Sequence, residues 1–397
     1  MVLTGLLGVA SLAGCGSLSS KPRPASTGAP GTMSPTAASE DPSAESAPEA
    51  SASATPNPLD GWTLEQKVGQ LLMVGADTSG PQMVSIDAVA THHVGNVFIA
   101  RQTRSGADSV RGVITALTDL VGSETTHDTP LLVATDQEGG QVQVLGGSGF
   151  SDIPSASEQA IMSTDDLTAS ARTWGQELAD VGVTMNLAPV ADLVDIPDPS
   201  SNAPIGRWGR EYGQSATTSQ DRAIAFARGM EAAGVIPTYK HFPGLGRVTA
   251  NTDTADGVTD SITTRSGDPA VSVFAEAITG GARVIMVSSA IYSAIDSSAP
   301  ATFSSVVVTD MLRGDLGFTG VVITDDVSAA VQVDAWTPAE RAVQAVKAGC
   351  DIVLASADAT MAADMAEALI AEAQADPAFA QRVDESATRV ISLKAGS

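Results

Sequence analysis

The residues best suited to chemistry in this 397-residue chain are a basic pair, Lys240 and His241, and two acids, Asp325 and Asp253. Residues 240 to 246 read KHFPGLG and open a loop that ends in Asn251, Thr252 and Asp253; Asp325 lies near the end of the apolar run GVVITDD (320 to 326). Two carboxyl groups flanking a scissile bond are the equipment of a glycosidase, one attacking or stabilising the anomeric carbon while the other moves the proton. A separation of about 5 to 5.5 Å between them would mean retention of anomeric configuration. Asp325 and Asp326 adjoin at an apolar strand end, so burial and like-charge repulsion should raise one pKa unless Lys240 or Arg210 neutralises the pair. Asp325 is expected in the pocket, and Asp326 in capping the helix that follows. His241 is the only one of the four histidines at a strand end, with His92, His93 and His127 in loop-like surroundings. Lys240 beside it adds donors suited to sugar hydroxyls. Neighbours in a strand face opposite ways, so a bulge or strand-end twist must bring both to one rim. The sequence has no HExxH, CxxC, Asp-rich calcium loop, Walker loop or GxGxxG after a strand, so neither a metal nor a cofactor is expected.

Eight short apolar runs must position these groups: LLMVG (71 to 75), NVFIA (96 to 100), LLVAT (131 to 135), TMNLAPV (184 to 190), VIPTYKH (235 to 241), RVIMVSS (283 to 289), GVVITDD and DIVLAS (351 to 356). Runs apolar on both faces suit strands covered by helices, and their alternation with amphipathic stretches calls for a parallel sheet. Thr63 to Leu72 reads as a helix with a Thr cap and Gln66 three residues on, and Pro338 to Ala348 has amphipathic spacing. Eight such units across about 340 residues fit an α/β fold of the (β/α)8 TIM-barrel type with insertions, in one catalytic domain. A doubly wound open sheet is the competing architecture. Polar residues fall at the C-terminal ends of the runs: Asp136, Asp192, Lys240 and His241, Ser288 and Ser289, then Asp325 and Asp326. At that face of a barrel, strand ends converge on one pocket.

The ends of the chain read differently. Residues 1 to 15 form an export signal, because Leu6 to Leu12 is apolar but too short to span a bilayer. Leu12, Ala13, Gly14 and Cys15 match the lipobox of bacterial lipoproteins, which makes Cys15 the lipidated first residue of the mature protein. No Lys or Arg precedes the apolar stretch, which suggests a start upstream of Met1. Residues 16 to 58 are Ser, Ala, Pro, Thr and Gly with almost no large apolar side chains, a flexible tether. Residues 59 to 397 are long enough for one large domain. A formal charge of -25 argues against nucleic acid or anionic lipid as a partner of that domain. It suits a monomeric enzyme outside the cytoplasm, held to the membrane through its lipid. Cys350, in AGCDIVLAS, reads as a buried small hydrophobe. A solute-binding lipoprotein shares the outline of lipobox, tether and α/β domain, but would have two lobes and a hinge.

The blocks LEQKVGQLLMVG, TDQEGGQVQ (135 to 143), MNLAPVADL (185 to 193), IGRWGREYG (205 to 213), KHFPGLG, LRGDLGFTGVVITDDVSAA (312 to 330) and AGCDIVLAS, in this order, resemble glycoside hydrolase family 3. The likeness is to its single-domain β-N-acetylglucosaminidase branch, whose members act on peptidoglycan fragments. That resemblance implies a barrel, and it implies a retaining exo-β-glycosidase, most simply a β-N-acetylhexosaminidase, with carbohydrate as its partner. By the same resemblance Asp325 is the nucleophile that forms a covalent glycosyl-enzyme intermediate. Asp136, Arg210, Lys240 and His241 match residues that clasp the sugar. The departures are as informative. The family's branch has KHFPGHG and then an Asp, Ser, His trio whose His is the general acid/base; here Leu245, Asn251 and Asp253 hold those places. Val144 stands where an Arg contacts the sugar. Three readings stay open: Asp253 is the proton donor with Asn251 assisting acid or substrate, or another residue is the donor, or catalysis is lost and the pocket only binds glycans. A β-glucosidase of the same family is a further alternative.

Overall fold

A computed structural model describes residues 58–396. The expected signal with Cys15, and all of the expected tether except Pro58, lie outside the described residues. All eight runs form strands of one parallel sheet: β1 (Leu72–Asp77), β2 (Asn96–Ala100), β3 (Leu132–Thr135), β4 (Met185–Asn186), β5 (in two pieces, Ile236–Pro237 and Tyr239–Phe242), β6 (Val284–Val287), β7 (Val321–Asp326) and β8 (Ile352–Ala355). The first piece of β5 pairs with β4 and the second with β6, while β1 pairs with both β2 and β8. Because both ends of the sheet belong to the run 236 to 242, the sheet closes on itself and the open doubly wound alternative is excluded. A two-lobed binding protein is excluded with it, since the strands form one continuous ring.

Closure explains why the runs are apolar on both faces. Met73, Phe98, Leu132, Met185, Ile236, Met286, Ile323 and Leu354 fill the barrel interior. Their strand neighbours Val74, Val97, Val133, Ile285, Val322 and Val353 face the helix layer outside. This is the layered packing of a filled barrel, not a pore. Val390 and Leu393 of the last helix (Pro377–Ala395) join the interior cluster. At the N-terminal mouth Lys394 Nζ donates to Gln70 Oε1 at 2.6 Å and to Gly95 O at 2.8 Å.

Helix boundaries follow local chemistry. Thr63 and Gln66 form a reciprocal cap, but the helix they open runs only over Leu64–Gly69, since Leu72 already belongs to β1. Pro338–Ala348 is a helix as its spacing predicts, capped by Thr337 and Glu340 and ended by Gly349 at φ 116°. β4 is shorter than its apolar run, because Pro189 has no N–H for the ladder; only a bridge from Val190 to Lys240 prolongs the pairing. Two register shifts matter most. Tyr239 pairs with Ile285 but Phe242 with Val287, and Ile323 pairs with Ile352 but Asp326 with Leu354. Each gives β5 or β7 one residue more than its partner, and such bulges re-aim side chains at barrel rims. Among the described residues no helix is long and apolar enough to cross a membrane.

Candidate active site

The bulge in β5 meets the requirement set by two adjacent functional residues: Lys240 and His241 both reach the C-terminal mouth, and the peptide joining them is cis. There a cavity of about 490 Å³ opens, a size suited to a small-molecule ligand. Its lining includes Asp136, Arg210, Lys240, His241, Asn251, Asp253 and Asp325, so all seven expected site residues inside the barrel domain come together. Leu187, Met286 and Leu354 supply apolar contact surface beneath them.

One wall is a saturated charge network. Lys240 Nζ lies 2.7 Å from Asp136 Oδ1 and 2.7 Å from Glu138 Oε1. Arg210 grips Glu138 with two hydrogen bonds, Nε to Oε2 at 2.9 Å and Nη2 to Oε1 at 2.7 Å. Burial works to raise the Glu138 pKa, but Arg210 and Lys240 outweigh it and pull the carboxyl down to about 2. Burial likewise opposes the charge on Lys240, while Asp136 and Glu138 raise its pKa overall. The wall therefore presents fixed donors and acceptors, the kind of surface that orients hydroxyl groups.

His241 is held from behind. Its Nδ1 donates to Asp192 Oδ2 at 2.7 Å, and the same fully buried carboxylate accepts His241 N at 3.1 Å and Leu245 N at 2.6 Å. With Nδ1 so engaged, Nε2 is the ring nitrogen left for a ligand. The turn after His241 packs closely on this segment: a Cβ on Gly246 would stand 2.0 Å from Leu193 O. Asn202 Nδ2 donates to Leu245 O and Val248 O, and Arg247 pairs with Asp195 and Asp268, which fixes the loop further.

The two acids of the tip differ. Asp325 is half-buried and accepts one hydrogen bond, from Asp326 N at 2.9 Å. Burial raises its pKa to about 6; His241 and Lys240 counteract this and Asp253 adds to it. The expected rise is present, but the like charge behind it is Asp253 rather than Asp326, and Lys240 and Arg210 are engaged with Asp136 and Glu138. Asp326 departs from its expected place at a helix start. It accepts Ser328 N at 2.6 Å, Ala329 N at 3.2 Å, Ser356 N at 2.9 Å and Ala357 N at 2.8 Å, together with the hydroxyls of Ser328 and Ser356. It thus ties the loop after β7 to the loop after β8, while the following helix is capped by Thr337. Asp253 is exposed, and its N–H donates to Asn251 Oδ1 at 3.0 Å.

Sequence reasoning missed Glu138 altogether, although alternate residues of extended chain share a side and Glu138 stands two beyond Asp136. Asp192 was noted at a strand end but given no task. Val144 is buried, with its N–H on Asp136 O at 3.0 Å, and Val142 rather than Val144 lines the cavity. Cys350 is fully buried, its thiol pushed up to about 12 chiefly by burial. Among the described residues no cluster of three or more His, Cys, Asp or Glu is arranged to hold a metal ion.

Comparison with known proteins agrees with this architecture. Residues 63–393 match the glycosyl hydrolase family 3 N-terminal domain. The chain is 31% identical over 300 residues to the beta-hexosaminidase LpqI of Mycobacterium tuberculosis, spanning 72% of each. It is 36% identical over 234 residues to a beta-hexosaminidase of Psychromonas ingrahamii, spanning 57% of this chain and 67% of that one. The crystal structure of a beta-N-acetylhexosaminidase from Beutenbergia cavernae matches with a TM-score of 0.83 and 54% identity, over 84% of this chain and 98% of the other. With the match to the family spanning nearly the whole described barrel, the chain belongs to glycoside hydrolase family 3 and is a glycoside hydrolase.

Proposed function

We propose that this protein is a retaining exo-β-N-acetylhexosaminidase that removes terminal N-acetylglucosamine from cell-wall fragments of the peptidoglycan type. The observation that carries this reading is the convergence of Asp325, Asp253 and the Asp136, Arg210, Lys240 and His241 wall on one cavity. Relatives named as hexosaminidases support the choice of sugar. In this reading Asp325 attacks the anomeric carbon, and Asp253 protonates the departing oxygen and later takes a proton from water. An exposed acid on a rim loop suits a group that must meet both leaving group and incoming water. Asp253 acts in the place of the histidine found in the related branch, and Asn251 shapes the acid's loop through its bond to Asp253 N. In this reading the enzyme acts as a monomer. The LAGC sequence at residues 12 to 15 and the Ser, Ala, Pro, Thr segment after it support a lipid-anchored, extracytoplasmic enzyme.

Incubation with a 5-fluoro β-N-acetylglucosaminyl donor followed by peptide mapping should find a glycosyl adduct on Asp325. An adduct elsewhere, or none alongside undiminished turnover of an aryl β-N-acetylglucosaminide, would remove Asp325 from the nucleophile role. Sugar binding without turnover would favour the glycan-binding alternative, and preference for aryl β-glucosides the glucosidase. Asp253→Ala should slow alkyl glycosides by about 10²–10⁴-fold and activated aryl glycosides far less.

A further inference from the structure

The loop that carries Asp253 is tied to the segment that follows Asp325 by the side chain of Gln332 and by two backbone bonds beside it. Gln332, 5% exposed, accepts Val258 N at Oε1 (2.8 Å) and donates from Nε2 to Val258 O (3.3 Å). Its own N–H donates to Thr252 O at 3.0 Å, and the N–H of Val331 donates to Asp253 O at 3.4 Å. One residue therefore holds the stretch 252 to 258 at both ends. Apart from the adjoining Thr259, whose hydroxyl donates to Gly257 O at 3.0 Å, Gln332 is the side chain outside residues 249 to 258 that hydrogen-bonds to them among the described residues. Thr252 and Val258 are buried at 1% and 4% exposure, while Asp253, Thr254, Asp256 and Gly257 between them are exposed.

The segment on which Gln332 stands is itself fixed to the end of β7. Asp326 receives Ser328 N and Ala329 N, and Arg341 Nη1 donates to Val327 O at 2.7 Å and to Ser328 O at 3.2 Å. Rigid connection thus runs from Asp325 along residues 326 to 332 and across to Asp253. We propose that Gln332 is a positioning residue that sets the placement of Asp253 relative to Asp325, holding the acid-bearing loop closed over the cavity before substrate arrives. This rests on the reading of Asp253 as proton donor. A displacement of about 1 Å in a catalytic group costs about 10²-fold in rate, and losing the side-chain bonds to Val258 loosens the far end of the loop, while the backbone bonds to Thr252 O and Asp253 O and that of Ile291 N to Val258 O remain. Only the proton-transfer component should suffer, because Asp325 and the sugar-binding wall do not depend on Gln332.

The readout is the dependence of log kcat/KM on leaving-group pKa across a series of aryl and alkyl β-N-acetylglucosaminides. Losing assistance from the acid steepens that dependence, whereas a merely structural lesion lowers all rates in parallel. Gln332→Met keeps side-chain length and removes both bonds to Val258. It should steepen the slope, lowering kcat for the poorest leaving groups by about 10- to 100-fold with KM nearly unchanged. Gln332→Glu keeps the acceptor for Val258 N and should lie between wild type and Gln332→Met. It also serves as the reporting variant if Gln332→Met does not fold. A wild-type slope in a folded Gln332 variant, beside a steep slope in Asp253→Ala, overturns the positioning role alone. An unchanged slope in Asp253→Ala overturns the acid assignment and the positioning role together.

Discussion

Asp325 and Asp351 stand at opposite ends of neighbouring strands, and they are opposite in every physical respect. Asp351, just before β8 at the N-terminal mouth, is fully buried and saturated. It accepts Arg313 and Arg382 at 2.6 Å each, Arg389 at 3.2 Å, Ser386 Oγ at 2.8 Å and Val322 N at 2.9 Å. Asp325, at the C-terminal end of β7, accepts one backbone N–H and has no cation in direct contact among the described residues. A carboxylate surrounded by its donors holds a structure together and has nothing left to offer. One with few donors, facing a cavity, keeps its lone pairs for a reacting carbon. The same contrast recurs within the mouth: Glu138 is pulled to about 2 by Arg210 and Lys240, while Asp325 is pushed to about 6 by burial. Environments that drive carboxyl pKa values apart mark a division of labour.

The largest expected effect breaks the comparison on its functional side. Asp325→Asn should lower kcat/KM by roughly 10³–10⁴-fold or more, as loss of a covalent nucleophile does. The same change should stabilise the fold. The folded-state pKa lies above the unfolded 3.8, so the folded protein binds the extra proton between about pH 4 and 6. Above that window the ionised group is a net cost, on the order of 1–3 kcal/mol. A neutral side chain removes this cost at pH 7, and the gain fades as pH falls towards 3.8. Thermal unfolding at pH 7 and at pH 4 checks both halves. A lower Tm for Asp325→Asn at pH 7 would show that Asp325 is a structural carboxylate after all.

Asp351→Asn should do the reverse. It leaves Arg313, Arg382 and Arg389 around a neutral amide, and breaking a buried ion cluster costs about 3–5 kcal/mol. Urea unfolding should show that loss, while turnover per folded molecule, counted by covalent trapping, stays at the wild-type value. A specific loss of turnover without loss of stability would mean that the two ends of the barrel are coupled through the strands.

How much of this division was legible in the sequence follows from the physics of each part. The barrel was legible, because eight apolar runs with helices between them have few ways to bury both faces. The groups on the strand ends were legible for the same reason: a residue such as Lys240 or Asp325 that is polar at the end of an apolar run must be near the mouth. Their partners were not. Glu138 binds Lys240 and Arg210 across the fold, Asp192 supports His241, and Gln332 reaches Val258. No local pattern tells which cation a carboxylate will meet. Asp326 shows the same limit, since its place before a loop and near a helix read as a cap, whereas its acceptors are filled by two loops meeting in space. The bulges in β5 and β7 were needed by the reading but have no signature in residues that are ordinary strand formers.

The smallest expected effect concerns how Asp325 acquires its unusual state. A nucleophile must be ionised to attack, and burial raises the Asp325 pKa to about 6, so kcat/KM for an activated aryl glycoside should fall with unit slope below about pH 6. Two causes push that pKa upward, burial first and the negative charge of Asp253 after it. They are separable, because Asp253→Asn removes the charge and leaves the burial. An activated substrate needs little protonation, so this variant still turns over fast enough to give a profile. Its acidic limb should lie below that of wild type by a fraction of a pH unit, and raising the ionic strength should shrink the difference, since Asp253 is exposed and a charge in solvent is screened by salt. A limb that does not move would assign the whole rise to burial. Asp325 would then be poised by its apolar strand end alone, and Asp253 would meet it only through the substrate.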